Sequence, residues 1–211
     1  WSPLSKETVK YTRKELPSKA TANPRHVTRD SRGHKVVLPL NRMPSDRKPT
    51  ETDGESFDWG GWDVPDTDFG DTRITDWAIG KLKEGGKEPL FLAVGYYRPH
   101  IPLWAPKRFF DRFKDEPGKL PPVRKNDLDD LGQAGRKWAR EAVTAGSHAT
   151  VIQYGQWQAA VEAYLACTTY VDHEIGRLLE ALDQSAVGKN TWIILWSDHG
   201  WHLGEKEHWG K

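Results

Sequence analysis

Residues 192–200 read Trp-Ile-Ile-Leu-Trp-Ser-Asp-His-Gly. From Trp192 to Trp196 the side chains are apolar without alternation, the pattern of a strand covered on both faces in a parallel sheet. The chain then turns polar at once, through Ser197, Asp198 and His199, and Gly200 permits a sharp backbone turn. A second run of the same kind, Leu90-Phe-Leu-Ala-Val94, leads into Gly95-Tyr-Tyr-Arg-Pro-His100-Ile-Pro102. In open α/β sheets ligands bind beyond the carboxyl ends of the strands. Both runs therefore direct attention to one edge of one sheet.

Working outward, each run is preceded by a helical pattern. Asp71 or Thr72 can cap a helix that places Ile74, Trp77, Ala78 and Leu82 on one face, and Gly85-Gly86 ends it. A longer helix, from about Gln153 to Leu182, carries Val161, Tyr164, Leu165, Thr168, Val171, Ile175, Leu178, Leu179 and Leu182 as its expected buried stripe. Gly188-Lys-Asn-Thr191 turns the chain into the 192–196 run. The order helix, strand, insertion, helix, strand predicts an α/β protein, part of a mostly parallel sheet flanked by helices. The insertion spans about 103–150, contains Pro121-Pro122, and carries a short helix near Leu128 to Val143.

Residues 1–70 read as a loop-rich segment with one short strand at Val36-Val37-Leu38. A free-standing domain rarely spends a third of its length on loop. The expectation is one partial domain over 1–211, with the α/β segment at 71–211 and both ends cut.

Composition narrows the function. With 31 basic and 30 acidic residues the net charge is +1, which gives no nucleic-acid footprint. The first fifty residues are rich in Lys and Arg, a solvated basic loop or a surface for an anionic polymer. Cys167, the only cysteine, excludes an intrachain disulfide and a cysteine metal cluster, and its mid-helix position makes it an inert core thiol. No apolar stretch is long enough to span a membrane. Eleven tryptophans either fill the core or, around Trp59, Trp62, Trp104 and Trp201, offer faces for sugar rings.

Asp198 beside His199, directly after a strand, can ligate a divalent metal. The plainer reading is a capping Asp and a structural His, and a zinc site from His199, His202 and His208 is a third. His100 lies between Pro99 and Pro102, which restrict the backbone and suit a rigidly presented imidazole. Lys211 alone reads as a surface lysine.

Taken together these residues resemble the sulfatases of the alkaline-phosphatase superfamily, and the iduronate-2-sulfatase-like branch in particular. Three pieces match in order: Arg-Pro-His100-Ile-Pro after its strand, Tyr170-Val-Asp-His-Glu-Ile-Gly-Arg177 on the long helix, and Ser-Asp198-His199-Gly with its Gly-Glu and Trp-Gly-Lys211 continuation. The resemblance covers about residues 70–211. It implies that Asp198 and His199 are two metal ligands, usually of calcium, that His100 hydrogen-bonds the sulfate or the leaving oxygen, and that Lys211 contacts the sulfate. Trp201 and His202 would lie on the substrate side.

The family's nucleophile, a formylglycine made in a Cys/Ser-x-Pro/Ala-x-Arg motif, has no counterpart here, and neither do its paired N-terminal aspartates. The expectation is that both lie upstream of Trp1 and that this chain alone does not turn over. The resemblance implies hydrolysis of a sulfate ester of a sugar or of a small molecule, by an exported protein (periplasmic, extracellular or lysosomal). Two alternatives stand beside it: a phosphodiesterase or phosphonate hydrolase of the same superfamily, and a non-catalytic carbohydrate-binding relative.

Overall fold

The computed structural model describes residues 26–43, 57–85, 88–142 and 146–211. Most of the basic run in the first fifty residues, together with Gly86 and Val143, lies outside the described residues.

The architecture is mixed α/β around a parallel strand pair. Strand β3 (Trp59–Trp62) and strand β4 (Leu103–Pro106) run parallel, with Trp59 opposite Leu103 and Trp62 opposite Pro106. Helix α1 (Gly70–Glu84) lies between them in sequence, so β3, α1 and β4 form a βαβ crossover. An antiparallel ribbon precedes this unit, β1 (His26–Arg29) against β2 (Lys35–Leu38). After β4 come α2 (Lys107–Asp111), α3 (Gln133–Arg140), α4 (His148–Gln153) and the long α5 (Trp157–Asp183). A hairpin of β5 (His202–Leu203) and β6 (Trp209–Gly210) closes the order.

Helix α5 is the spine: it packs against α1, α2, β3 and β4. Its buried face runs through Ala160, Ala163, Ala166, Cys167, Tyr170 and Glu174. That face differs from the expected stripe, since Thr168 and Leu179 are exposed and Val171, Ile175 and Leu178 only half-buried. Val161 and Leu182 of that stripe are buried as expected, but the fully buried positions also include the small Ala160, Ala163 and Ala166. Helix α1 shows the same preference. Thr72, Thr75, Ala78 and Leu82 face inward, while Trp77 is 54% exposed.

Polar bonds zip these two helices together. The Tyr170 hydroxyl accepts from Thr72 N at 3.0 Å and shares a 2.8 Å hydrogen bond with Thr72 Oγ1, which donates to Glu174 Oε1 at 2.8 Å. Arg177 donates to Glu174 Oε2 at 2.7 Å and to Asp76 at 2.5 Å. Glu174 is fully buried, and its charge is tolerable because a guanidinium and a hydroxyl satisfy it.

Three expectations are corrected. Leu90–Val94 and Trp192–Trp196 have no regular secondary structure and join no ladder among the described residues, and they are largely exposed: Phe91 is 91% and Trp192 97% accessible. An apolar run reports what the side chains prefer, whereas a ladder needs a second backbone about 4.8 Å away. The short strand expected at Val36–Leu38 is present as β2, but the parallel pair falls in segments expected to be loop. Trp59-Gly-Gly-Trp62 is short and glycine-rich, and Leu103–Pro106 ends in proline, yet all four β4 residues are buried. Gly61 is required there, because a Cβ would meet Lys107 Cα at 2.9 Å and the Phe110 ring at 3.1 Å. The third correction concerns the tryptophans. Trp59, Trp62 and Trp104 are at most 6% exposed and belong to the core, so they offer no face to a sugar.

Candidate active site

The loop between residues 96 and 104 holds His100. The imidazole Nδ1 lies 2.7 Å from the Ile101 carbonyl oxygen. A carbonyl only accepts, so Nδ1 carries the hydrogen and Nε2 is the nitrogen left to face a ligand. The ring packs against Tyr97, with centroids 4.7 Å apart, and Trp201, at 6.2 Å. The His100 N–H donates to Tyr97 O at 3.0 Å, and the Tyr97 hydroxyl donates to Ile101 O at 3.0 Å.

Trp201 opens the terminal hairpin. His202 pairs with Gly210 and Leu203 with Trp209, and continuing that antiparallel register sets Lys211 opposite Trp201. The hairpin is anchored from below. Trp209 is 1% exposed, stacks on Trp59 and His148 with centroids 6.3 and 6.4 Å away, and donates from Nε1 to His148 Nδ1 at 3.0 Å. Trp157 donates from its indole to Leu203 O at 2.8 Å. Burial lowers the His148 pKa, which keeps Nδ1 free to accept. Lys206 ties the hairpin to the preceding insertion through Asp127 O at 2.5 Å and Asp130 at 2.7 Å. Sequence reading passed over Trp209 and Lys206, because their role lies in partners some sixty to eighty residues away.

Asp198 and His199 follow the exposed 192–196 run. The Asp198 carboxylate is 83% exposed; Oδ1 accepts the His199 N–H at 3.1 Å and Oδ2 lies 3.4 Å from His199 Nε2. His199 Nδ1 donates to Gly200 O at 2.7 Å. A metal-bound histidine commonly donates its other ring hydrogen to a backbone carbonyl in this way, which leaves Nε2 as the ligand atom. An open carboxylate beside a histidine so oriented fits a divalent cation. Two donors are, however, only part of a sphere of about six to eight for calcium.

His202 and His208 face each other edge-on at 5.4 Å, their Nδ1 atoms 3.3 Å from the carbonyls of Gly210 and Ala139. Among the described residues no metal-ligand group joins them to His199. The three-histidine zinc reading is therefore withdrawn. The one grouping of three potential ligands there is Asp66, His173 and Glu174, which the sequence did not suggest. Two guanidinium groups already hold its carboxylates, Arg108 on Asp66 at 2.6 Å and Arg177 on Glu174 at 2.7 Å. We assign this group to the packing of α5 rather than to a cation.

The structure thus gathers His100, Trp201 and the end of the hairpin, with Asp198 and His199 three and two residues before Trp201 in the chain. The family model described as Sulfatase matches residues 32–211. The chain belongs to the sulfatase family. A sulfatase of Formosa agariphila is 40% identical over 154 residues, covering 73% of this chain and 30% of that protein. Human iduronate 2-sulfatase is 37% identical over 166 residues, covering 71% of this chain and 29% of that enzyme. An arylsulfatase of Clostridium perfringens is 30% identical over 136 residues, or 62% and 27% of the two chains. This sulfatase chain therefore spans under a third of the length of these curated relatives. Sulfatases generally use a metal ion, and the open Asp198 carboxylate and His199 Nε2 could supply two of its ligands. No helix of the described residues is long and apolar enough to cross a membrane.

Proposed function

We propose that this chain supplies part of the active site of a metal-dependent sulfatase that hydrolyses a sulfate ester of a sugar or of a small molecule. Asp198 and His199 contribute an oxygen and Nε2 to a calcium site. His100 Nε2 hydrogen-bonds the sulfate or the leaving oxygen, and the Lys211 ammonium offsets charge on the sulfate. The calcium, when bound, polarises the sulfate oxygens as a Lewis acid. Trp201 and His202 border the substrate. The formylglycine nucleophile and the remaining metal ligands belong to a longer parent chain, which we take to be exported. The observation that carries this reading is the His100 imidazole, fixed with Nε2 outward against Trp201, where the hairpin register returns Lys211.

The test is sulfate release from an aryl sulfate and a sulfated sugar by the full-length, matured protein and by these 211 residues alone. The full-length enzyme is expected to release sulfate, and Asp198→Ala to abolish that release together with calcium binding measured by calorimetry. The shorter chain is expected to be inactive. Hydrolysis of phosphate diesters or phosphonates in place of sulfate esters would establish the other superfamily chemistry. Sugar binding with no hydrolysis would establish a non-catalytic relative. Sulfate release by the shorter chain at the rate of the whole would overturn the upstream nucleophile.

A further inference from the structure

The loop that carries His100 is closed by one buried cation and one buried anion, to neither of which the sequence assigned this role. Arg98 is 5% exposed and Asp71 4%. Asp71, in the first turn of α1, accepts the Tyr97 N–H on Oδ1 at 2.8 Å and the Arg98 N–H on Oδ2 at 3.1 Å. A carboxylate is favoured at a helix N-terminus, so α1 holds the start of the loop electrostatically as well as through those bonds. The Arg98 side chain then spans the loop, donating from Nε to Trp104 O at 2.6 Å and from Nη1 to His100 O at 3.3 Å. Its guanidinium carbon lies 5.1 Å from the Tyr97 ring centre, the same ring that packs on the imidazole.

We propose that Arg98, seated by Asp71, is a positioning residue that sets the outward ring nitrogen of His100. The proposal rests on the reading of His100 as a sulfate-facing group. Its physical basis is the order of the bonds. Arg98 fixes the His100 carbonyl and so the peptide plane leading into Ile101. That plane, with the Tyr97 hydroxyl, aims the Ile101 carbonyl at the imidazole. The Ile101 carbonyl in turn holds the hydrogen on Nδ1, which leaves the Nε2 lone pair or proton for the substrate. Lysine at this position keeps the charge but has no fork, so it cannot hold both carbonyls in one geometry. The latch is local: Asp71 to Arg98, Arg98 to His100, and Trp104 O as the far anchor in β4.

A double-mutant cycle on kcat and KM in the full-length enzyme separates this from a merely structural role. Arg98→Met is expected to lower kcat by on the order of 10- to 100-fold with KM changed by less than about threefold, the scale of a misplaced catalytic group. Arg98→Lys is expected to recover part of the loss. In a His100→Gln background the same Arg98→Met change should have no further effect on kcat, because there is no imidazole left to orient. Additive losses, or an equal loss with and without His100, would overturn the proposal while leaving the sulfatase reading intact. If His100→Gln itself is fully active, the reading of His100 fails first. Should Arg98→Met not fold, Asp71→Asn, which keeps shape and weakens only the seat, is run through the same cycle and judged by the same additivity.

Discussion

Asp58 joins three segments, and its removal should be among the most costly single changes in this chain. It is fully buried, immediately before β3. Oδ1 accepts Asn41 N and Trp59 N at 2.9 and 2.8 Å; Oδ2 accepts Leu40 N at 2.9 Å and the Trp104 indole at 3.1 Å. Asp58→Ala leaves four donors facing a cavity of side-chain size. Each orphaned buried donor costs about 1–3 kcal/mol, so the loss is about 4 kcal/mol or more if all four stay unpaired, and less for each donor that finds water. A domain of ordinary stability has only about 5–15 kcal/mol in total. Asp58→Asn keeps the shape and one acceptor oxygen, and should cost about half as much. Urea unfolding at pH 8, followed by tryptophan emission from the neighbouring Trp59 and Trp104, measures both. A loss below about 1 kcal/mol for Asp58→Ala would refute the claim that these four bonds define the pocket.

The same carboxyl gives the chain a pH dependence: burial pushes its pKa up to about 7, against the pull of its four N–H donors. A folded pKa above the unfolded value near 3.8 means the native state holds the proton more tightly, so this contribution is complete below about pH 4 and is lost as pH rises through about 7. Urea midpoints measured from pH 4 to 8 should fall in that window, and Asp58→Asn should remove this component; an unchanged slope in Asp58→Asn would refute it. Cys167 is 0% exposed and burial raises its thiol to about 12, so thiol reagents should label it only as fast as the chain unfolds. Labelling as fast as a free thiol in native buffer would contradict its place in the core.

The family was more legible in the sequence than the packing was. Asp198 and His199 stand out because they follow an apolar run directly, and His100 because prolines flank it, whereas Lys211 was singled out only by the family resemblance. The glycine turn at Gly85, with φ at 64°, was legible as a local pattern. Asp71 was legible as a helix start, but its carboxylate serves Tyr97 and Arg98 rather than a cap. That use depends on a loop twenty-six residues away, which no window along the chain contains. The buried face of α5 was misplaced for a related reason. Size and hydropathy favour Ile175 and Leu178, whereas the fully buried positions include the small Ala160, Ala163 and Ala166. Trp59 and Trp62 looked like ring-stacking surfaces because composition does not distinguish a tryptophan that covers a ligand from one that covers a helix.

The two unladdered ribbons, Leu90–Val94 and Trp192–Trp196, have a consequence for colloidal behaviour. Each is a five-residue uncharged, apolar stretch that joins no ladder among the described residues, and such segments can seed cross-β assembly between molecules. Lys87, Glu88 and Pro89 guard the start of the first, whereas the second has only Lys189 and Asp198 as its nearest charges. A charge placed at Phe91 or Ile194, both exposed, is expected to slow aggregation of these 211 residues, read by light scattering, without touching the core around α5.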